Sequence, residues 1–223
     1  SIYFNDGGTG GRLTWNATDG TLGLSMGYSS ATNQIGQELY NPPVVNESGG
    51  DLLDGDLVMV NPAGVAQGNR ISVVKCIADG TYPADYIVGV MTAELANHGT
   101  GLATWFGYVR NIDKTHLFPT GETWVEGDIL YPHPTEAGKM TNVQPTAPAL
   151  KSTIAAVTAI NGNNVTLMVR PSLRGRLDTL HNVNIVSSSY GDFLMKSGSV
   201  WINSKQLSGS YTITRSEEHT SEL

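Results

Sequence analysis

The residues best spaced for chemistry in this sequence are two acid-Gly-Asp triplets, Asp54–Asp56 and Glu126–Asp128. Paired carboxylates serve as acid and base in glycosidic cleavage when they face a carbohydrate across a cleft. Aspartate at a turn has a plainer use, because its side chain accepts hydrogen bonds from the nearby backbone. We therefore predict no catalytic residue and interpret both triplets as structural turns, formed by Gly55, Asp56, Gly127 and Asp128.

Metal and thiol chemistry have less support in the sequence. Outside the last nine residues the histidines show no His-x-x-x-His spacing, and Cys76 is the single cysteine, so we predict no metal site and no cofactor. Calcium binding at the Asp-rich turns has no support either, because these turns do not match the EF-hand pattern. His133 lies between two prolines and is expected in a rigid, exposed turn. Cys76 follows a β-branched run and is expected to be a small buried hydrophobe. The histidines considered are His98, His116, His133 and His181.

Aromatic residues offer a third kind of site. They are concentrated between residues 105 and 131, where they could stack against sugar rings or pack in a barrel core and a trimer interface. The packing interpretation is favoured, with glycan binding left open. The candidates for glycan or trimer contact are Trp105, Tyr108, Trp124 and Tyr131.

The elements that position these residues are indicated by a repeated phrase. Leu52–Pro62 and Trp124–Pro134 both consist of an apolar pair, the acid-Gly-Asp triplet, an apolar run and a proline. A tight turn followed by an apolar run predicts a buried strand, and the proline ends the hydrogen-bonded ladder. Two related strands are therefore expected to frame one β-barrel or sandwich.

Composition agrees with a β-rich protein. The 223 residues include 26 glycines and only 15% charged residues, and they suffice for one or two domains. The net charge of −7 argues against a nucleic-acid partner, because phosphate binding needs a basic face. No apolar stretch is long enough for a membrane span.

The pattern of turns and apolar runs predicts an all-β fold in three parts. We expect a strand meander over residues 1–30, a β-barrel or sandwich module over 31–172, and a short fibre-like extension over 173–214. Within the module, 161–164 predicts a hairpin turn and Gly89 a bulge or close approach. One helical turn is expected over 92–97, and one short amphipathic helix over 173–180.

The last nine residues, 215–223, differ in composition from the rest of the chain. They look like the conceptual translation of a common short-read sequencing adapter. We expect this tail to be non-native and the chain to be a metagenomic fragment whose natural continuation is missing.

Several phrases occur in an order that is similar to a known module. They are Gly55–Val58, Ile87–Thr92, Gly107–Ile112, Gly127–Tyr131 and Lys139–Asn142, followed by Leu180–Ile185, Gly191–Leu194 and Trp201–Asn203. This series, over roughly residues 12–205, resembles virion structural proteins of tailed bacteriophages, chiefly tail fibres and head fibres or decoration proteins.

The resemblance implies a β-rich structural subunit located in the virion. Its expected partners are itself, as a homotrimer, and other virion proteins. The function expected is self-association and attachment to the particle, without enzymatic activity. The alternative is a carbohydrate-binding module that recognises a bacterial surface glycan.

Overall fold

The computed structural model describes residues 2–4, 11–17, 21–25, 32–35, 42–64, 70–173, 177, 180 and 182–206. The chain divides into two compact units, Ser1–Arg174 and Gly175–Leu223. Almost all regular structure is β-strand, which confirms the all-β prediction. Most of the predicted helix over 173–180 lies outside the described residues.

The first unit begins with a four-stranded antiparallel sheet, called here the N-terminal sheet. Its strands pair in chain order, as expected of a meander. The sheet extends past residue 30, where we expected the meander to end, because residues 32–35 form its last strand. The strands are β1 (Ile2–Phe4), β2 (Gly11–Asn16), β3 (Thr21–Ser25) and β4 (Thr32–Ile35).

A closed barrel follows, with strand order β5-β7-β6-β8-β9 and β9 pairing back onto β5. One 3-10 turn, Ala84–Tyr86, precedes β8. The helical turn predicted over 92–97 is wrong: Leu95 forms a bridge with Leu52, because an extended backbone here joins the barrel wall. The strands are β5 (Pro43–Asn46), β6 (Leu57–Val60), β7 (Ile71–Lys75), β8 (Ile87–Met91) and β9 (Thr100–Thr104).

A second five-stranded sheet completes the first unit and is called here the open sheet. Its order is β10-β14-β13-β11-β12, so β10 and β12 are its edges. A four-residue helix, α1 (Lys114–Leu117), follows β10. The strands are β10 (Gly107–Asp113), β11 (Ile129–Pro132), β12 (Met140–Thr141), β13 (Thr153–Asn161) and β14 (Asn164–Ser172).

The closed barrel and the open sheet share one topology. Numbered from the first strand of each, both have the order 3-2-4-5-1, and each of these neighbouring pairs is antiparallel in both sheets. The repeated phrases supply the second strand of each. The barrel adds one pairing, the parallel contact of β5 with β7, and this contact closes it.

Two apolar cores explain how these sheets fit together. One fills the barrel interior and includes Val44, Val58 and Val73. The other combines the barrel's outer residues Leu57 and Met59 with apolar residues of the open sheet, among them Leu130, Ile154 and Leu167. Strand β6 is therefore buried on both faces, which accounts for its continuous apolar run.

Two local predictions in this unit are confirmed. Strands β13 and β14 form a hairpin with the two-residue loop Gly162–Asn163, and Gly162 has φ +61°, as a type II′ turn requires. Gly89 lies at a register shift between β6 and β8. A Cβ added to Gly89 would lie 2.4 Å from the carbonyl oxygen of Thr104, so the backbones approach closely there.

The C-terminal unit contains a three-stranded sheet with order β15-β17-β16. Strand β15 runs parallel to β17, and β16 runs antiparallel to it. No described residue of this unit is buried. Its strands are β15 (Val183–Asn184), β16 (Phe193–Ser197) and β17 (Val200–Ser204).

Candidate functional site

The two acid-Gly-Asp triplets form the same turn. Asp56 Oδ2 accepts a hydrogen bond from the Leu53 amide at 2.9 Å, and Asp128 Oδ2 accepts one from Val125 at 2.9 Å. The glycines between the acids have φ +89° and +94°. Both aspartates are thus occupied in holding the chain reversal that leads into β6 or β11.

The partners across the sheet differ between the two turns. Asp56 is buried and makes a salt bridge of 3.1 Å with Lys75, at the end of β7. Asp128 is half-buried and accepts a hydrogen bond of 2.8 Å from Asn142, directly after β12. Lys139 also lies near Asp56, and burial lowers the pKa of this lysine. The aspartate of one turn is therefore paired with a cation, whereas that of the other accepts a hydrogen bond from a neutral amide.

Asp54, the first acid of its triplet, is the strongly perturbed carboxyl of the site. Burial raises its pKa to about 7, against a smaller opposing effect from the Gly55 amide. One carboxylate oxygen, Oδ1, is buried without a hydrogen-bond partner. A His116 ring nitrogen contacts the Asp54 backbone carbonyl oxygen and leaves this carboxylate oxygen unpaired. Burial of Asp54 therefore disfavours its charged form. Glu126, the first acid of the other triplet, is exposed and accepts a hydrogen bond from the Ile160 amide.

A polar network around Glu122 lies at the end of β12, an edge strand of the open sheet. Its carboxylate accepts hydrogen bonds from Thr141 Oγ1 at 2.6 Å, the Asn142 amide at 3.3 Å and Trp124 Nε1 at 3.1 Å. Thr141 ends β12 and Asn142 follows it, so this carboxylate is hydrogen-bonded to the end of that edge strand. The sequence offered no periodic signal for Glu122, because its partners are distant along the chain.

His133 belongs to the same network and is not the exposed residue that we predicted. Its side chain is only 14% exposed, and Nε2 lies 3.9 Å from both the Glu122 and the Glu136 carboxylates. Nδ1 accepts hydrogen bonds from the Glu136 and Thr135 amides, which places the ring proton on Nε2, facing the carboxylates.

The remaining candidates for metal or thiol chemistry are dispersed. His98 pairs with Glu47 at 3.0 Å, and His181 lies outside the described residues. Burial raises the pKa of the Cys76 thiol to about 12, so it is a buried apolar side chain. In the described part of the chain, no group of three or more His, Cys, Asp or Glu is placed to hold a metal ion.

The four aromatic candidates do not share one surface position. Trp124 is 2% exposed and stacks on Phe118 with ring centroids 4.6 Å apart, so its proposed glycan or trimer contact is replaced by core packing. Trp105 is half-buried against the same core. Tyr108 is half-buried beneath the Arg110 guanidinium, 4.8 Å from the ring centre, and Tyr131 is half-buried in β11.

The most exposed apolar side chains are ones that sequence reasoning did not select. Trp15 in the N-terminal sheet is 63% exposed, and Tyr190 in the C-terminal unit is fully exposed. Alternation of apolar and polar residues in β2 signalled a two-faced strand, but alternation does not tell which face is covered. Other exposed apolar residues of the C-terminal unit are Leu177, Leu180, Val186, Phe193, Leu194 and Trp201.

The C-terminal unit also contains a groove of about 430 Å³. One aromatic ring, Phe193, lines it together with hydroxyl, amide and carboxylate groups. Asp192 accepts hydrogen bonds within it from Asn203 Nδ2 and the Ser189 amide. The groove is lined by Leu177, Ile185, Ser188, Ser189, Asp192, Phe193, Leu194 and Asn203.

Comparison of the chain with protein-family models, curated proteins and solved structures finds no match. The helices of the described residues are all too short or too polar to cross a membrane.

Proposed function

We propose that this chain is a structural subunit of a tailed-bacteriophage virion, a tail fibre or a head fibre or decoration protein. It works by associating with copies of itself and attaching to other virion proteins. The ordered phrases of the sequence support this proposal through their resemblance to that class. The all-β fold is compatible with it.

The observation that carries the proposal is the lack of a buried residue among the described residues of the C-terminal unit. Three short strands need a covered apolar face to be stable in water. Here Trp201 on β17 and Leu194 on β16 remain 37% and 44% exposed. Copies of the same unit wrapped together would cover these side chains and provide the core that one chain lacks.

Sedimentation velocity on the full chain tests self-association. We expect a homotrimer whose assembly is weakened by Trp201→Lys, because this substitution places a charge in the shared core. Ser199→Lys is the matched control, since Ser199 lies in the exposed turn before β17. A wild-type chain that stays monomeric at every concentration would contradict the proposal.

Glycan binding is the second candidate function, favoured by the groove of the C-terminal unit. An aromatic ring surrounded by hydroxyl, amide and carboxylate groups suits a sugar, which has both apolar and hydrogen-bonding faces. A glycan array compares the full chain with Phe193→Ala. Binding lost in the variant supports this candidate, and an array without signal for the wild type excludes it for the glycans tested.

A further inference from the structure

A cavity of about 310 Å³ lies on one face of the N-terminal sheet. Cross-strand pairing places alternate residues of β2, β3 and β4 on the same face, called here the polar face. The cavity is lined by these alternate residues, from 12 to 16 in β2, from 21 to 25 in β3 and from 32 to 34 in β4. Its volume lies at the lower end of the range of about 300–1,000 Å³ in which ligand pockets fall.

A glycine occupies the middle of the polar face. Gly23 lies in β3 between its cross-strand partners Thr14 and Gln34. Its φ lies outside the left-handed region, so the backbone conformation does not require a glycine at this position. An added Cβ would lie 3.1 Å from Thr32 Cγ2 and would crowd the face. Glycine inside a strand weakens it and often marks a place where a ligand approaches the backbone closely.

The cavity carries positive charge, although the chain as a whole is acidic. Arg12 is the one charged residue in the described part of the lining, and it has no hydrogen-bond or ion-pair partner among the described residues. A second cation reaches the lining from the open sheet, where Arg110 Nε on β10 donates a hydrogen bond of 3.0 Å to Gln34 Oε1. In a chain with a net charge of −7, a lining with guanidinium groups and no described carboxylate favours an anion.

The rest of the polar face consists mainly of hydroxyl and amide groups. The hydroxyls of Ser25 and Thr32 form a hydrogen bond of 3.2 Å between β3 and β4. Thr21 is 4% exposed, and its buried hydroxyl has no hydrogen-bond partner among the described residues. Such a group is unfavourable, and rotation of this side chain toward the cavity would let it bond a ligand hydroxyl. The lining therefore suits a ligand with many hydroxyl groups and one negative charge.

We infer that this cavity binds an acidic saccharide, whose carboxylate pairs with Arg12 and whose hydroxyls bond the neutral lining. A guanidinium and a carboxylate form two parallel hydrogen bonds, which makes arginine a specific partner for this group. A phosphorylated ligand would call for a cluster of arginines, whereas the described lining contains one. The groove of the C-terminal unit contains Asp192, which would repel the same ligand. The inference shares its ligand class with the second candidate function but uses another site, so either can fail alone.

Isothermal titration calorimetry of the full chain with cellobiouronic acid and with cellobiose tests the inference, because these disaccharides differ by one carboxylate. We expect the acid to bind at least about tenfold more tightly, as one charge-assisted pair would produce. Arg12→Gln should remove this preference and leave the affinity for cellobiose unchanged. Arg70→Gln is the matched control, because it removes the same charge from an exposed residue outside the cavity. Far-ultraviolet circular dichroism checks that both variants keep their strands.

The outcomes separate this site from the functions proposed above. Equal affinity of the wild type for both disaccharides, or binding of neither, overturns the inference. A preference for the acid that survives Arg12→Gln but is lost in Phe193→Ala assigns the ligand to the groove and also overturns it. Displacement of the acid by an equal concentration of acetate would show a site for carboxylates alone and overturn the saccharide assignment. Self-association is tested separately by Trp201→Lys and is unaffected by any of these results.

Discussion

The closed barrel and the open sheet are built from the same five-strand topology, yet only one of them closes. In the barrel, β5 lies between β9 and β7 and pairs with both. In the open sheet, β10 pairs with β14, and the Glu122 carboxylate accepts hydrogen bonds from the Thr141 hydroxyl and the Asn142 amide at the end of β12. The two sheets also differ in the segment between their first and second strands.

In the open sheet that segment, residues 114–128, supplies a few large apolar side chains to the core. Leu117 and Trp124 are buried, and Phe118 packs on Trp124. The barrel has its own interior core, whereas the open sheet uses these side chains and the outer wall of the barrel. Closure is thus one of two ways in which the same strand order acquires a covered face.

Gly89 gives the largest expected contrast between the two sheets. Its register partner is Val58, and the equivalent pair in the open sheet is Ala155 with Leu130. Gly89→Ala places a Cβ against the Thr104 carbonyl at a φ of +148° and should lower the free energy of unfolding by roughly 3–4 kcal/mol. Urea unfolding measures this. The reverse change, Ala155→Gly, should lower the free energy of unfolding by only about 1 kcal/mol. Equal losses in the two variants would mean that closure of the barrel does not require a glycine at position 89.

The aspartates of the two turns give the next contrast. Asp56→Ala removes the buried acceptor for the Leu53 amide and leaves Lys75 unpaired, so we expect a loss of about 3 kcal/mol. Asp128→Ala removes the equivalent hydrogen bond of the other turn, but this site is half-buried and its partner Asn142 is neutral. We therefore expect a loss of only about 1 kcal/mol in the free energy of unfolding. Chemical denaturation of both variants compares them. Equal losses would show that the lysine pairing adds nothing to the turn.

The glycines of the turns test packing separately from backbone conformation. Both have φ near +90°, but a Cβ at Gly55 would lie 2.7 Å from Ile112 Cγ2 and one at Gly127 would meet nothing within 4 Å. We expect Gly55→Ala to cost about 2 kcal/mol and Gly127→Ala about 1 kcal/mol, the latter from φ alone. Thermal unfolding of the two variants measures the difference. A larger loss of stability for Gly127→Ala would contradict the close packing described around Gly55.

The smallest effect concerns pH. Asp54 keeps its proton up to about pH 7 when folded, whereas an unfolded aspartate loses it near pH 4. The folded state binds more protons between these values, so its stability falls as pH rises through the window. Asp54→Asn should therefore raise stability at pH 8, by about 1 kcal/mol after allowing for partial solvation, and change little at pH 4. Melts at both pH values measure this.

Glu126→Gln is the control for the pH prediction, because Glu126 occupies the equivalent turn position but is exposed. If both variants gained stability at pH 8 to a similar extent, the pH dependence would not come from the buried carboxyl of Asp54.

Sequence reasoning identified the features that depend on neighbours along the chain. The turn of the β13–β14 hairpin and the close approach at Gly89 follow from local chemistry, and both are confirmed. The helical turn expected over 92–97 failed because Leu95 pairs with Leu52, a contact that local propensity does not encode.

Burial in the candidate site was harder to predict for the same reason. Trp124 is covered by Phe118 and by residues of distant strands, which the pattern of residues around it does not specify. The shared topology of the two sheets was signalled only by the repeated phrase. The orientation of the N-terminal sheet depends on which face meets the protein, and alternation within its strands is the same in either case.

The double burial of β6 has a consequence for the order of events during synthesis. Once residue 104 has left the ribosome, every strand of the barrel is available, and domains generally fold as units in N-to-C order. The outer residues of its wall, Leu57, Met59 and Val90, belong to a core whose other half ends with β14. Until Ser172 emerges, the nascent chain therefore exposes an apolar wall on which a chaperone or another nascent chain can bind.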